Sequence, residues 1–179
     1  MMKNINRKFG FTLAEALIAL GIVGIIASIT VPQLINNYNE KGFEALEEKA
    51  KANLSQALDL YLTDLGKDHF GTSVFNTNAK IQTFQEKYLR GTVCSTSSDC
   101  IDTSYLYNPL FYKCIKTKDG IVTCMSRLYS KLTGDDSDCW NQYSCGAVTF
   151  DLNGTAGPNI EGKDILKYHY TSQAKVLKD

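Results

Sequence analysis

Histidine is nearly absent from this 179-residue chain: only His69 and His169 occur. That excludes a histidine-rich metal centre and leaves a histidine-dependent nucleophile without a recognisable partner. There is no Gly-rich loop of the phosphate-cradling kind and no C-x-x-C pair of the redox kind. Net charge is missing too. The 19 Lys and Arg balance 19 Asp and Glu, which argues against a broadly basic nucleic-acid surface. No enzyme is expected from these residues. Charge is also missing locally, since no residue from Ala16 to Asn39 carries any. The chain is rich in apolar residues, at 44%, too many for a disordered polymer. It also has six cysteines, all between Cys94 and Cys145. The length suits one ordinary domain, or a small domain with an appendage.

The appendage is the N-terminal part. Residues 1–10 carry Lys3, Arg7 and Lys8 and no acid, and Phe11 to Val31 is a 21-residue stretch with Glu15 as its single charge. As a helix this stretch spans about 30 Å, the hydrocarbon thickness of a bilayer. The basic flank predicts a cytoplasmic N-terminus with the remainder outside. A cleaved secretory signal fits less well, because the apolar run is too long and Ala27-Ser28-Ile29 is a poor cleavage site. A plain signal anchor explains length and orientation but not Glu15, a carboxylate four residues into the run. Ala14, Gly21, Gly24 and Ser28 offer small residues where helices could approach closely, or reflect ordinary span composition.

Lys8-Phe9-Gly10-Phe11-Thr12-Leu13-Ala14-Glu15 resembles the processing site of type IV prepilins and type II secretion pseudopilins. The resemblance covers roughly residues 7–60 and includes the basic leader, the Gly-Phe junction, the acid, the apolar span and Pro32, 21 residues after Phe11. It implies that a prepilin peptidase cuts between Gly10 and Phe11 and that Phe11 is N-methylated. It also implies that Glu15 serves assembly by pairing with the freed amine of a neighbouring subunit, a pairing worth far more in a low-dielectric core than in water. The implied partners are the peptidase, other pilin or pseudopilin subunits, an inner-membrane assembly platform and the membrane itself. The implied location is a single-pass inner-membrane precursor with its head outside the cytoplasm, later a filament. Two alternatives stay open: an anchored adhesin or binding domain, and a DNA-binding competence pilin.

The expected fold is α+β and pilin-like, with a long N-terminal helix packed by its C-terminal half on a small antiparallel, disulfide-stapled sheet. The expected divisions are a leader at 1–10, a helix at 11–66 and a head at 67–179. Within the helix, 11–31 is the membrane and assembly spine and 32–66 the amphipathic half. Within the head, 94–145 is the cysteine-rich region and 146–172 holds the C-terminal strands. Phe43, Leu46, Ala50, Leu54, Ala57, Tyr61 and Leu65 recur at helical steps. Glu47 and Lys51 form an i, i+4 pair, Gly66 is a stop, and Pro32 should kink or locally melt the helix.

From about Phe70 the pattern changes to strands and turns, with Thr92–Asp102 read as a loop. A three-residue loop Lys118-Asp119-Gly120, with Gly120 at positive φ, closes a hairpin that sets Cys114 opposite Cys124. Cys94/Cys100 and Cys139/Cys145 could each close a small loop. Six cysteines allow fifteen connectivities, so local pairing is one choice among them. Export to an oxidising compartment favours disulfides, and zinc lacks any C-x₂₋₄-C spacing.

Residues 147–151 read as a strand leading into Asp151-Leu152-Asn153-Gly154, then Gly157-Pro158-Asn159, Gly162 and Asp164 before a final strand. This resembles the C-terminal segment of many pseudopilins and related pilins, in some of which the loop binds Ca²⁺. Asp151, Asn153 and Asp164 are the implied ligands, although calcium needs six to eight oxygens and the EF-hand pattern is incomplete. The alternative is an Asx-turn with Gly154 at positive φ. Asp135, Asp136 and Asp138 form a further acidic run. Lys113, Lys116, Lys118, Arg127 and Lys131, interleaved with Tyr107, Tyr112 and Tyr129, form a loose basic set. Removing the leader would leave 16 positive side chains against 19 negative, so nucleic acid is not the expected partner.

Overall fold

Residues 13–65 are dominated by good helix formers with no Gly-Pro break, and they form one helix, α1, Leu13–Leu65. Pro32 lies inside it. Its lost hydrogen bond does not melt the helix, contrary to the local melting that proline suggests. Gly66 then takes φ 62 and ends the helix in the left-handed conformation that glycine accepts without steric cost. The computed structural model describes residues 12–71, 74–127, 145–154 and 156–178. It divides into two compact units, Met1–Lys41 and Gly42–Asp179.

The first unit is a helical span. Leu13–Leu34 is long and apolar enough to cross a membrane. Its large side chains find no cover, ranging from 48% exposed at Val31 to 80% at Leu13. Its hydroxyls are satisfied internally. Ser28 donates to the Ile25 carbonyl at 2.7 Å and Thr30 to the Ile26 carbonyl at 3.0 Å. In lipid such back-bonding removes the cost of an unpaired hydroxyl.

The second unit pairs the rest of α1 with a sheet. Ala50, Leu54, Ala57, Leu58 and Leu62 are buried on one stripe, with Phe43, Leu46 and Tyr61 partly buried beside them. The stripe departs from the sequence pattern at its end. Leu58 and Leu62 carry the seam, while Leu65 is 39% exposed. Beyond α1, an aromatic cluster gathers Tyr61, Phe70, Phe75, Phe84 and Tyr88 at centroid distances of 5.2–6.1 Å. A second helix, α2 (Asn78–Phe84), capped by the Thr77 side chain, runs directly into a π-helical turn, Gln85–Leu89. The sequence pattern did not reveal either.

The sheet is a six-stranded antiparallel meander in the order β1 (Gly91–Val93), β2 (Tyr112–Thr117), β3 (Val122–Ser126), β4 (Gly146–Asp151), β5 (Ile165–Tyr170) and β6 (Val176–Lys178). β1 and a 3₁₀ turn at Ser97–Asp99 lie within the stretch read as loop. The β2–β3 hairpin turns through Lys118-Asp119-Gly120, with Gly120 at φ 88. Thr117 N–H bonds the Ile121 carbonyl at 2.9 Å, and Cys114 faces Cys124.

Alternation along the strands gives the sheet two apolar faces. Met125, Val148, Phe150, Leu166, Tyr168 and Tyr170 meet α1 and α2. Cys114, Val122, Cys124 and Ile165 face the other way, where Cys94, Cys100, Ile101, Leu106 and Tyr112 cover them. All five residues of β3 are consequently buried. Cys94–Cys100 and Cys114–Cys124 are disulfide-bonded, and Cys145 is also in a disulfide. Cys139 lies outside the described residues. The fold is thus α+β and pilin-like, a long N-terminal helix followed by a small disulfide-stapled antiparallel sheet.

Leu58 is fully buried while Leu65 is not. Leu58→Ala should therefore destabilise the second unit by about 2–5 kcal/mol, and Leu65→Ala by less than about 0.5 kcal/mol. Denaturant unfolding of the two variants measures the difference.

Candidate functional site

The residues singled out in the sequence fall at two places, the start of α1 and the loop between β4 and β5. Gly10 and Phe11 lie outside the described residues, as do Tyr129, Lys131, Asp135, Asp136 and Asp138. Glu15 is the first acid of α1. Its carboxylate accepts the Thr12 backbone N–H at 2.9 Å and the Thr12 hydroxyl at 2.7 Å, and the Glu15 N–H reaches the Thr12 hydroxyl at 3.2 Å. This is a capping box, in which Thr12 and Glu15 satisfy donors that a helix start otherwise leaves unpaired. It depends on the Thr-x-x-Glu spacing, a signal available in the sequence. The donors are neutral, so the capping box binds the carboxylate without neutralising its charge.

The β4–β5 loop is organised around two acids. Asp164 is fully buried. Its two oxygens accept the backbone N–H groups of Asn159 at 2.7 Å and Ile160 at 2.6 Å. Asp151, 2% exposed, accepts the Asn153 N–H at 3.2 Å in an Asx-turn, and Gly154 follows at φ 65. Burial pushes the Asp151 carboxyl up to about 6. Hydrogen bonds from the Asn153 and Gly154 backbone oppose the rise, the charge of Asp164 adds to it, and Lys116 draws it back.

The loop's acids are engaged by the chain itself. Both oxygens of Asp164 are committed to backbone N–H groups, and Lys116 already supplies positive charge. No group of three or more acidic, His or Cys ligands is found among the described residues. Asn153 Oδ1 and Asn159 Oδ1 are buried without hydrogen-bond partners and, with Asp151, are the side-chain oxygens the loop could turn to a cation. The acids hold the loop closed through backbone donors, an arrangement that needs no metal.

Other sequence candidates disperse. Lys113 donates to the Ser95 carbonyl at 3.4 Å, and the Arg127 guanidinium lies 4.3 Å over the Phe111 ring. Lys113 and Arg127 are thus each engaged within the chain, while Lys116 and Lys118 line one cleft. Glu47 keeps the favourable charge of Lys51 and adds partners on the sheet, the Tyr168 hydroxyl and the Lys178 ammonium, the latter at 3.1 Å. Burial would raise the Glu47 pKa, but the Tyr168 and Lys178 hydrogen bonds and the charges of Lys178 and Lys51 outweigh it and hold the carboxyl below its ordinary range.

The comparisons with known proteins bear on the first place. Residues 5–31 match the family of the prokaryotic N-terminal methylation motif. Type II secretion system core protein G of Vibrio cholerae is 38% identical over 63 residues, 35% of this chain and 42% of the relative. The protein of the same name from Aeromonas hydrophila is 40% identical over 59 residues, 33% of this chain and 41% of the relative. The one from Escherichia coli K12 is 33% identical over 72 residues, 40% and 48% respectively. The chain thus spans less than half the length of these curated relatives. No solved structure matches. The start of the chain carries the prokaryotic N-terminal methylation motif, and the likeness to type II secretion system core protein G covers 33–40% of the chain.

Two outcomes follow for the loop. The raised Asp151 pKa means that the folded state holds this proton longer than the unfolded chain, whose carboxyl titrates near 3.8. Stability should then fall as pH rises from about 4 to about 6, by up to about 3 kcal/mol, and level off above. Asp151→Asn should abolish that slope and be more stable than the parent at pH 7, as thermal melts across pH would show. Asp164→Asn replaces one of the two acceptor oxygens with a donor facing a part-buried N–H group and should cost about 1–3 kcal/mol. Added calcium should leave the parent's melting temperature unchanged.

Proposed function

We propose that this protein is a structural subunit of the pilin and pseudopilin kind, made as a single-span inner-membrane precursor with its head outside the cytoplasm. A prepilin peptidase removes residues 1–10 between Gly10 and Phe11, and Phe11 is N-methylated. The subunit then polymerises with copies of itself or related subunits, drawn from the membrane by an inner-membrane platform. One observation carries this reading: the methylation motif at residues 5–31 coincides with an apolar span that finds no cover within its own chain and contains a single acid. Similarity to core protein G of type II secretion systems favours a secretion pseudopilus over a surface pilus.

The physical logic rests on Glu15. Lipid tails and neighbouring apolar helices are equally apolar, so packing span against span gains little from the hydrophobic effect. A carboxylate–ammonium pair is different, because its members attract strongly at low dielectric and are costly when left alone. Cleavage creates the ammonium at Phe11. The Thr12 cap holds the carboxylate ordered until a neighbouring amine supplies the opposite charge. Pairing of this kind sets the register between adjacent subunits.

Intact mass and N-terminal sequencing of the membrane-extracted protein, with and without a prepilin peptidase, test the first step. Loss of residues 1–10 and a methylated Phe11 are expected. A chain cut beyond Val31 would overturn the reading. For assembly, Glu15→Val should abolish incorporation into filaments while leaving membrane insertion intact, measured by shearing and fractionation. Wild-type incorporation of Glu15→Val would point to an anchored head that does not polymerise.

A further inference from the structure

The end of the sheet where β1 meets the β2–β3 hairpin collects positive charge that no carboxylate fully answers. A cleft of about 370 Å³ there is lined by Arg90, Gly91, Thr92, Lys116, Thr117 and Lys118. Arg90 follows the π-helical turn with φ 52, a left-handed backbone that side-chain-bearing residues rarely adopt. Such strained positions recur at functional sites, as do π-helical turns. Gly91 fixes the next step, because a Cβ there would lie 2.4 Å from the Lys116 carbonyl oxygen. Thr92 and Lys116 are register partners across β1 and β2. The backbone thus holds Arg90 beside the two lysines.

The neighbouring acids are engaged elsewhere. Asp119 pairs with Lys49 at 2.7 Å, and Asp64 with Lys87 at 2.9 Å. Lys116 shares its charge with Asp151 from beside Gly154. Among the described residues, Arg90 and Lys118 form no ion pair. The Thr117 hydroxyl is committed to the Ile121 carbonyl at 3.1 Å, which leaves the Thr92 hydroxyl as a neutral donor.

We propose that this cleft binds a phosphate group, carried either by a free phosphate or phosphomonoester or by an anionic lipid headgroup. A guanidinium fork, two ammonium groups and a hydroxyl around one concavity offer more donors than a carboxylate can accept. Phosphate, with three or four acceptor oxygens and up to two charges, matches them. Arg90 supplies the directional contact and Lys118 the nearby charge.

The test uses the full chain, ¹⁵N-labelled, in maltoside micelles, titrated with inorganic phosphate against sodium chloride at constant ionic strength. Amides of Arg90–Val93 and Thr117–Gly120 should shift saturably with phosphate alone. Arg90→Gly separates function from structure, since glycine takes φ 52 without strain. Its melting temperature should hold or rise while phosphate affinity falls about tenfold or more. Lys118→Gln should weaken binding, and Lys175→Gln, on the turn before the opposite edge strand, should not. Equal shifts with chloride, or undiminished affinity in Arg90→Gly, would overturn the proposal. The source is read by moving the chain into phosphatidylcholine or phosphatidylglycerol nanodiscs without added phosphate. Shifts in phosphatidylglycerol alone assign a lipid headgroup, and shifts only on adding phosphate assign a soluble ligand. No shift under any of these conditions removes the site.

Discussion

A sheet that is apolar on both faces must be covered twice, and the organisation of residues 42–178 follows from that demand. One face takes the stripe Ala50–Leu62 of α1, with α2 beside it. Among the described residues, no α-helix covers the other face. Its cover is a segment of short 3₁₀ turns with little regular hydrogen bonding of its own, held by Cys94–Cys100 and packed over Cys114–Cys124. Such a segment buries few large side chains, so covalent links compensate for a thin hydrophobic layer. Two of the disulfides therefore lie where the packing is thinnest, while the disulfide-bonded Cys145 belongs to the helix-side core, in which Leu54 and Leu58 are fully enclosed.

The first unit presents the opposite case. Among the described residues its apolar side chains have no cover, and Thr12, Glu15, Ser28 and Thr30 bond within one or two turns of themselves. The span is thus satisfied in these hydrogen bonds and incomplete in its packing. Both a bilayer and a bundle of similar helices can supply what is missing. Under the proposed function, that indifference would let a subunit pass from one environment to the other, with Glu15 as the one charged group of the span Leu13–Leu34.

How much was legible in the sequence depended on the range of the determining interaction. α1 could be read because its signals repeat over 53 residues. The β2–β3 hairpin could be read because Asp119-Gly120 sets the turn and the turn sets the register. α2 was missed because seven residues barely complete two turns, too few for a period to emerge. β1 and β6, three residues each, cannot show alternation. Lys51, the helix neighbour of Glu47, could be read from the spacing, whereas Tyr168 and Lys178, which the folded chain adds, could not. Asp164 read as a ligand because a buried acid in a Gly- and Asn-rich loop looks the same whether it holds a cation or backbone N–H groups. Only the positions of Asn159 and Ile160 distinguish the two.

The contact of Glu47 with Tyr168 and Lys178 has a mechanical meaning. It joins β6, the last strand, to α1 five residues past the start of the second unit at Gly42. Ser55 adds a stitch by donating to the Ala174 carbonyl at 2.9 Å. The beginning and end of this unit are therefore fastened to each other as well as through the sheet between them. Tension applied along α1 enters the sheet at β5 and β6 as well as through the connection after Leu65. The load is divided between two routes, and β6 with the turn before it acts as a tie.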